Sequence, residues 1–177
     1  MKQWFGPAAV ALLAAAAAWH GGLALATYGL MEAAVRKTAA DTGLNKMRYN
    51  ALATPENQPI VRPSPDLAYA ACAYDLTDGP VEVTMAPVPG RYSSLSIFDA
   101  RTDVVFVRND QQAKEKPFQI VIARDGQAVP AGKETVRVGY DRGIALVRLL
   151  LNNPSEIKSL EPLRRQSSCR QITSVSG

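Results

Sequence analysis

The sequence is poor in the residues that most catalytic and metal sites require. Among 177 residues there is one histidine, His20, which lies in an apolar N-terminal stretch, so the rest of the chain has none. A histidine base for a Ser or Cys nucleophile is therefore excluded in that part. Two isolated cysteines supply too few ligands for zinc, and the glycine-rich phosphate motifs are absent. We expect neither a metal nor a cofactor.

Basic residues are also too dispersed to indicate nucleic-acid binding. Twenty Lys and Arg are balanced by sixteen Asp and Glu, which gives a net charge of +4. No basic run is longer than the pairs Arg36-Lys37 and Arg164-Arg165, and no aromatic ladder is interleaved with them. A groove that follows a phosphate backbone needs a denser stripe of positive charge. We therefore expect no nucleic acid among the partners.

One long apolar run is present at the N-terminus. Residues 7–31 contain no Asp, Glu, Lys or Arg. A helix of this length, at about 1.5 Å per residue, exceeds a hydrocarbon core of about 30 Å. The alternative is a cleaved signal peptide, with Lys2 in its charged region and a small-x-small cleavage site at Ala24-Leu25-Ala26. Because the apolar run continues past that site, we predict a retained transmembrane anchor over residues 1–31.

The orientation of this anchor has two opposing indications. Lys2 precedes the apolar run, and four basic residues follow it: Arg36, Lys37, Lys46 and Arg48. The positive-inside rule then favours a cytoplasmic domain, but long folded domains are translocated largely regardless of charge. A bond between Cys72 and Cys169 would require an oxidising compartment, whereas two buried free thiols are the alternative. We predict the disulfide, and with it an inner-membrane protein whose domain faces the periplasm.

Residues 32–65 are expected to connect the anchor to a folded domain of residues 66–177. Residues 32–50 have helical propensity, which Gly43 interrupts. An extended linker is then favoured by four closely spaced prolines, Pro55, Pro59, Pro63 and Pro65. We therefore expect the folded domain to begin near Leu67.

The domain sequence has the pattern of short strands separated by Gly and Pro turns. Strands are predicted over residues 68–76, 81–86, 91–98, 104–108, 118–123 and 135–138. Turn pairs such as Asp78-Gly79 and Pro89-Gly90 lie between them. This spacing favours an antiparallel β-sandwich or jelly-roll-like domain, in an α+β, mainly β class.

The last part of the domain is predicted to contain one more strand and a short C-terminal helix. Residues 143–151 (GIALVRLLL) suit a buried strand, although a buried helix gives the same apolar pattern. Arg148 lies in this run, and we expect it to form an ion pair with a carboxylate. Asn153 is expected to cap a helix that begins at Pro154, and Pro162 to end or restart it.

Carboxylates and tyrosines are the remaining candidates for a site. A cation site, or an acid and base pair, would result if four side chains met at one end of the sandwich: Asp99, Asp103, Asn109 and Asp110. Oxygen-rich turns usually face water, which is the simpler interpretation. A ligand cavity would have three strand tyrosines in its lining, Tyr69, Tyr74 and Tyr92, although we expect them to pack. Asp75 is expected to accept hydrogen bonds from a turn.

The block from residue 66 to residue 100 resembles the signature of the bacterial domain of unknown function 1254. That signature has an Asp and a Tyr ahead of a D-L-x-x-G-P turn, followed by a Y-x-S-L-x-x-x-D strand. Here its positions are Asp66, Tyr69, Asp75, Leu76, Gly79, Pro80, Tyr92, Ser94, Leu95 and Asp99. The run GIALVRLLLNNPSEIKSLEPLRRQ resembles the family's closing segment around an Arg, which is Arg148 here. The resemblance covers most of residues 60–172.

The resemblance also implies a setting for the chain. Long members of the family carry an N-R-D-T run where this chain has Ser64-Pro65-Asp66-Leu67, and they continue into a second domain, of unknown function 1214. This chain is similar instead to a short, single-domain, membrane-anchored branch in Gram-negative bacteria. A separate protein with a 1214-type domain is therefore the expected partner. The family has no settled activity, so the resemblance implies no mechanism.

Two functions are compatible with the sequence. The first is a non-enzymatic interaction protein of the cell envelope, whose anchored domain binds a partner protein. The second is a small-molecule-binding or hydrolytic role that uses carboxylates and tyrosines in a cavity of the sandwich. The second requires polar groups to converge on one cleft, among them Asp66, Tyr69, Asp99 and Asp103. We favour the first.

Overall fold

The computed structural model describes residues 5–54 and 63–173. Within these ranges, helix α1 (Phe5–Thr42) is followed by strands and one further helix, α2 (Ile157–Arg164). The strands are β1 (Met47–Tyr49), β2 (Leu67–Asp75), β3 (Val81–Met85), β4 (Ser93–Phe98), β5 (Val104–Asn109), β6 (Phe118–Arg124), β7 (Thr135–Val138), β8 (Arg142–Leu150) and β9 (Ser168–Gln171). The mainly β class with a short C-terminal helix is thereby confirmed.

The strands form two sheets packed face to face. The first has the order β1-β2-β8-β4-β5, and all its pairs are antiparallel. The second has the order β7-β6-β3-β9, and here β7 runs parallel to β6. The expectation of antiparallel pairing is therefore wrong for β6 and β7. The loop after β6 carries the chain back along that strand before β7 begins, so the two strands run in the same direction.

The core lies between the two sheets and contains alternate residues of the central strands. Tyr74 and Cys72 of β2 are buried there, together with Val83 of β3 and Ile122 of β6. Successive strand side chains point to opposite faces, so one face of each strand supplies this core. Cys72 and Cys169 are bonded across it and join the two sheets.

Helix α1 has two halves with different surroundings. Met31 and Val35 are buried against Ala73 of β2, and Ile144 of β8 packs against the same cluster. In the N-terminal half the large side chains are exposed, and an 18-residue window of this helix has a mean hydropathy of 1.7. By length and composition, the described part of the chain therefore has one helix able to cross a membrane. That helix continues without a break onto the first sheet.

The folded part of the chain begins earlier than the sequence indicates. Residues 32–65 were expected to hold a juxtamembrane helix and a linker, yet β1 lies in this segment and pairs with β2. The helix does end at Thr42, just before Gly43. A strand of three residues has too few positions to display a period of two, so its pattern could not be recognised. The prolines Pro55 and Pro59 lie outside the described residues.

The C-terminal region departs from expectation in two details. Asn153 caps a 3₁₀ turn (Pro154–Glu156) as predicted, by accepting a hydrogen bond from the Ser155 N–H. Pro162, however, lies inside α2, which continues to Arg164. A proline this close to the helix end removes one hydrogen bond and disturbs little beyond it. The second detail is β9, a mostly polar strand that pairs with β3.

Candidate functional site

Several of the family-motif residues stabilise turns. Asp75 ends β2, and its carboxylate accepts hydrogen bonds from the N–H and hydroxyl of Thr77. Arg142 donates to the other carboxylate oxygen at 2.7 Å. Burial alone would raise the pKa of Asp75, but these donors outweigh burial and hold it below its ordinary value. Asp75 thus has the turn role expected from the sequence.

Asp99, Gly79 and Pro80 have similar local roles. The Asp99 carboxylate accepts from the backbone N–H groups of Arg101 and Asp103, which closes the turn between β4 and β5. Gly79 has a φ of +141°, and a Cβ there would lie 3.1 Å from the Ile172 carbonyl oxygen. The Pro80 carbonyl accepts from the Ile172 N–H. The Asp66 carbonyl likewise accepts a hydrogen bond from the Leu151 N–H. These positions specify the fold.

Three other motif residues lie together in one row across the first sheet. Tyr69 of β2 is opposite Arg148 of β8, which is opposite Ser94 of β4, which is opposite Asn109 of β5. Directly opposed residues in antiparallel strands share a face. Leu95 and Val147 neighbour Ser94 and Arg148 along their strands and belong to the core. The face that carries the four residues therefore points away from the core. We call these four residues the outer row.

Among the described residues, Arg148 has no carboxylate partner for the ion pair that the sequence predicted. Its guanidinium donates to the Ser96 hydroxyl at 2.9 Å. Within residues 5–54 and 63–173, no carboxylate lies within ion-pair distance of it. Arg148 is only half-buried, so water solvates part of the guanidinium and a carboxylate is not required for folding. The positive charge of the outer row is therefore not neutralised by the described residues.

Ser94 is the second unusual member of the outer row. It is 1% exposed, and its hydroxyl has no hydrogen-bond partner among the described residues. Buried hydroxyls are normally paired, because an unpaired one loses its hydrogen bonds to water without replacement. Tyr69 is nearby on the same face, and its hydroxyl accepts from the Ser64 N–H at 3.0 Å. The row therefore holds a cation and a buried hydroxyl that lacks a partner.

Helix α1 covers one end of the outer face. The helix packs over Ala73 and Ile144, which oppose each other in the sheet. The outer row lies four residues further along β8, at Arg148. Beside it the apolar side chains of Val107 and Leu150 are 54% and 39% exposed. The uncovered part of the face therefore combines the polar outer row with exposed apolar side chains.

The other groupings expected from the sequence are not formed. Asp99 and Asp103 lie at the start of β5, whereas Asn109 and Asp110 lie at its opposite end. Asp110 instead accepts a hydrogen bond from the Ser93 N–H. Among the described residues, no group of three or more His, Cys, Asp or Glu is placed to hold a metal ion.

The three candidate tyrosines also have different surroundings. Tyr74 is completely buried in the core, where its hydroxyl donates to the Phe98 carbonyl and burial raises its pKa. Tyr69 is on the outer face, and Tyr92 is 46% exposed just before β4. They therefore do not line a common cavity. The alternation of β2 was sufficient to separate Tyr69 from Tyr74, since five residues apart along a strand means opposite faces.

Arg164 is a buried charge that the sequence did not single out. It borders a shallow groove of about 450 Å³ beside Leu52 and Ile157. Its guanidinium bonds to the Glu161 carboxylate and to the carbonyls of Asn50 and Tyr69. The carboxylate neutralises the charge of Arg164, and the carbonyls accept hydrogen bonds from its guanidinium. Arg164 therefore holds α2 against the first sheet. No local sequence signal distinguishes it from a surface arginine.

Comparisons with known proteins agree with this architecture. The VPA0106 protein from Vibrio parahaemolyticus has a similar structure, with a TM-score of 0.66 and 19% identity, over 84% of this chain and 36% of that one. A putative uncharacterized protein from Burkholderia cenocepacia gives a TM-score of 0.48 and 17% identity, over 89% of this chain and 43% of that one. The chain thus spans less than half the length of either structure. No curated protein matches. Residues 44–171 match the family described as Protein of unknown function (DUF1254), so this chain belongs to that family.

Proposed function

We propose that this protein is a non-enzymatic interaction protein of the bacterial inner membrane, with its domain in the periplasm. The part of the first sheet's outer face that lies beyond α1 is its binding surface for a partner protein. The observation that carries the proposal is the composition of this face: an arginine without an acidic partner among the described residues and a buried serine hydroxyl lie beside Val107 and Leu150. Exposed apolar residues that adjoin polar groups are typical of protein-binding surfaces.

The membrane location is supported by α1. Its apolar half is exposed and long enough to span a bilayer. The periplasmic location is supported by the Cys72–Cys169 bond, because disulfides persist in oxidising compartments and are rare in the cytoplasm. The basic residues after the apolar run favour the opposite orientation, but that rule has little force for a long folded domain.

The partner we propose is a separate protein that carries a domain of unknown function 1214. The resemblance implies that the two domains share one chain in long relatives, and this chain spans 36% of the VPA0106 protein. A short member would then use the same interface in trans. If both proteins are anchored in one membrane, their effective concentration is high and an interface of about 1,000 Å² would suffice.

The alternative is a small-molecule-binding or hydrolytic role. It requires carboxylates and tyrosines to converge, but Asp66 and Asp99 are at opposite ends of the first sheet. Tyr69 and Tyr74 also lie on opposite faces of β2. This placement favours the interaction role, because its surface needs no enclosed cleft.

The proposal is tested by replacing one exposed residue of the binding surface. Val107→Arg adds a charge to the outer face, and Ser168→Arg adds the same charge to the exposed edge strand β9 of the second sheet. Tagged full-length chains are purified from native membranes in mild detergent, and the accompanying proteins are identified by mass spectrometry. We expect a 1214-domain protein with wild type and Ser168→Arg, and at least tenfold less with Val107→Arg.

Two results would contradict this proposal. Recovery of the wild-type chain alone, as a monodisperse monomer, would contradict the existence of a bound partner protein. Equal recovery of the partner with Val107→Arg and with Ser168→Arg would mean that the outer face is not the binding surface.

A further inference from the structure

We infer that Arg148, Ser94 and Ser96 form a binding site for a carboxylate. The site lies on the outer face of the first sheet and does not depend on the identity of the protein partner. Its residues come from two adjacent strands, since Arg148 is directly opposite Ser94 in the β8–β4 pair. Ser96 is two residues further along β4 and therefore on the same face.

The charge of Arg148 is the first argument. Guanidinium has five N–H donors in a planar fork, and one described hydrogen bond, to Ser96, uses a single donor. Other half-buried arginines of this chain have acidic partners: Arg91 bonds to Glu156, and Arg108 to Glu134. Arg148 has none within the described ranges. A guanidinium held on a sheet with free donors matches the two oxygens of a carboxylate.

The hydroxyl of Ser94 is the second, independent argument. It is buried beside Arg148, and no residue in the described ranges is its hydrogen-bond partner. A ligand oxygen bound by the guanidinium would lie close to it and would accept a hydrogen bond from it. Binding would then satisfy a polar group that the unliganded fold leaves unpaired, which is favourable.

The single positive charge indicates the class of anion. The outer row contains one cation and three neutral polar residues, Tyr69, Ser94 and Asn109. One guanidinium balances the charge of a carboxylate, whereas a phosphate monoester carries nearly two charges and normally recruits more cations or helix termini. The exposed side chains of Val107 and Leu150 would contact an apolar group attached to the carboxylate. The ligand is therefore a carboxylate on an apolar carrier.

The same chemistry is available from two sources, a free organic acid or an acidic side chain of a partner protein. The site is tested first with sodium acetate as the probe. Full-length ¹⁵N-labelled protein in mild detergent is titrated with acetate against sodium chloride at equal ionic strength. We expect saturable shifts of the Arg148 Nε–H and the Ser94 backbone N–H signals, with a Kd in the millimolar range.

Variants then assign the binding to these side chains. We expect Arg148→Gln to abolish the saturable shifts, Ser94→Ala to weaken binding about fivefold to tenfold, and Lys116→Gln to leave it unchanged. Lys116 is the matched control, because it removes the same charge from an exposed loop. Arg148→Lys keeps the charge but loses the forked N–H donors of the guanidinium, and it should weaken acetate binding by about tenfold. This variant keeps the test decisive if Arg148→Gln folds poorly.

The source is distinguished in native membranes. An organic acid released on denaturing the wild type, but not Arg148→Lys, would indicate a free ligand. A photo-crosslinker is also placed at position 107. Capture of a protein at a segment that contains Asp or Glu, with tenfold less capture in Arg148→Lys, would indicate an acidic side chain of a partner. Acetate shifts that are absent, or that are the same in Arg148→Gln, would overturn the site. That outcome would leave partner docking, as tested by Val107→Arg, unaffected.

Discussion

The hydroxyls of Tyr28 and Tyr140 are hydrogen-bonded at 2.8 Å, and their rings meet edge to face at 5.7 Å. Tyr28 lies in α1 and Tyr140 lies in the turn before β8, so this pair joins the helix to the sheet. Arg142 adds a second link, because it contacts both Glu32 of α1 and Asp75 of β2. The helix is therefore packed on the domain directly after its apolar half, with no linker between them.

Packing of α1 on the sheet is expected to stabilise the domain measurably. Val35→Ala removes two buried methyl groups from a site that is 2% exposed, so we expect the free energy of unfolding to fall by about 1.5–3 kcal/mol. Val10→Ala is the matched control, because Val10 is 67% exposed in the apolar half. Chemical unfolding of the full chain in detergent measures both. Equal effects would mean that the helix is not packed on the domain.

Gly143 is expected to be among the least replaceable positions of the sheet. A Cβ at this site would lie 2.1 Å from the Phe98 carbonyl oxygen and 2.3 Å from the Tyr74 hydroxyl oxygen. Because backbone and a buried ring cannot both move away, we expect Gly143→Ala to destabilise the domain by more than about 3 kcal/mol. At Gly139 a Cβ meets nothing within 4 Å, so Gly139→Ala should have little effect. Thermal unfolding of the two variants decides, and similar melting temperatures would contradict the expectation.

The sequence predicted local structure well because local patterns produce it. Gly and Pro turns separate the strands, and the apolar run of β8 was correctly interpreted as a strand. None of these inferences needs to know which strands are neighbours.

The outer row could not be predicted, because it depends on pairing between distant segments. Tyr69 and Arg148 are far apart in the chain, and only the β2–β8 register places them opposite each other. For the same reason, the sequence could not indicate that the described part of the chain offers Arg148 no carboxylate. Its neighbours in the fold are serines, and the sequence near Arg148 contains no information about them. The motif therefore contains three residues of the outer row without indicating their arrangement.

The disulfide is expected to contribute strongly to stability. Cys72 and Cys169 are separated by 97 positions, and closing a loop of that size restricts the unfolded chain. The chain-entropy model gives a contribution of about 4–5 kcal/mol. Reduction of the wild type should therefore lower its urea midpoint, while the double variant Cys72→Ala/Cys169→Ala should not respond to reductant. Thiols that alkylate without prior reduction, in protein from native membranes, would contradict both the bond and the periplasmic location.

Glu82 is the carboxylate from which we expect a clear pH dependence. It is 3% exposed on β3 and bonds to Arg170 and Lys133. Burial would raise its pKa, but the hydrogen bonds and charges of these two partners outweigh burial and lower it. Its folded pKa is thus below the unfolded value of about 4.3. The stabilisation that ionised Glu82 gives to the folded state is complete above the unfolded pKa. It is lost as the pH falls through the folded pKa.

Glu82→Gln should therefore change both the stability and its dependence on pH. Near pH 7 we expect the variant to unfold with about 1–3 kcal/mol less free energy, because a charged acceptor of two basic side chains is replaced by a neutral one. Between about pH 5 and pH 3 the wild type should lose stability more steeply than the variant, so the two curves converge towards acid. Asp125→Asn is the control, since Asp125 is exposed and forms no ion pair within the described residues. Urea unfolding at a series of pH values gives the slopes. Parallel curves for wild type and Glu82→Gln would show that the buried carboxylate does not titrate below its unfolded pKa.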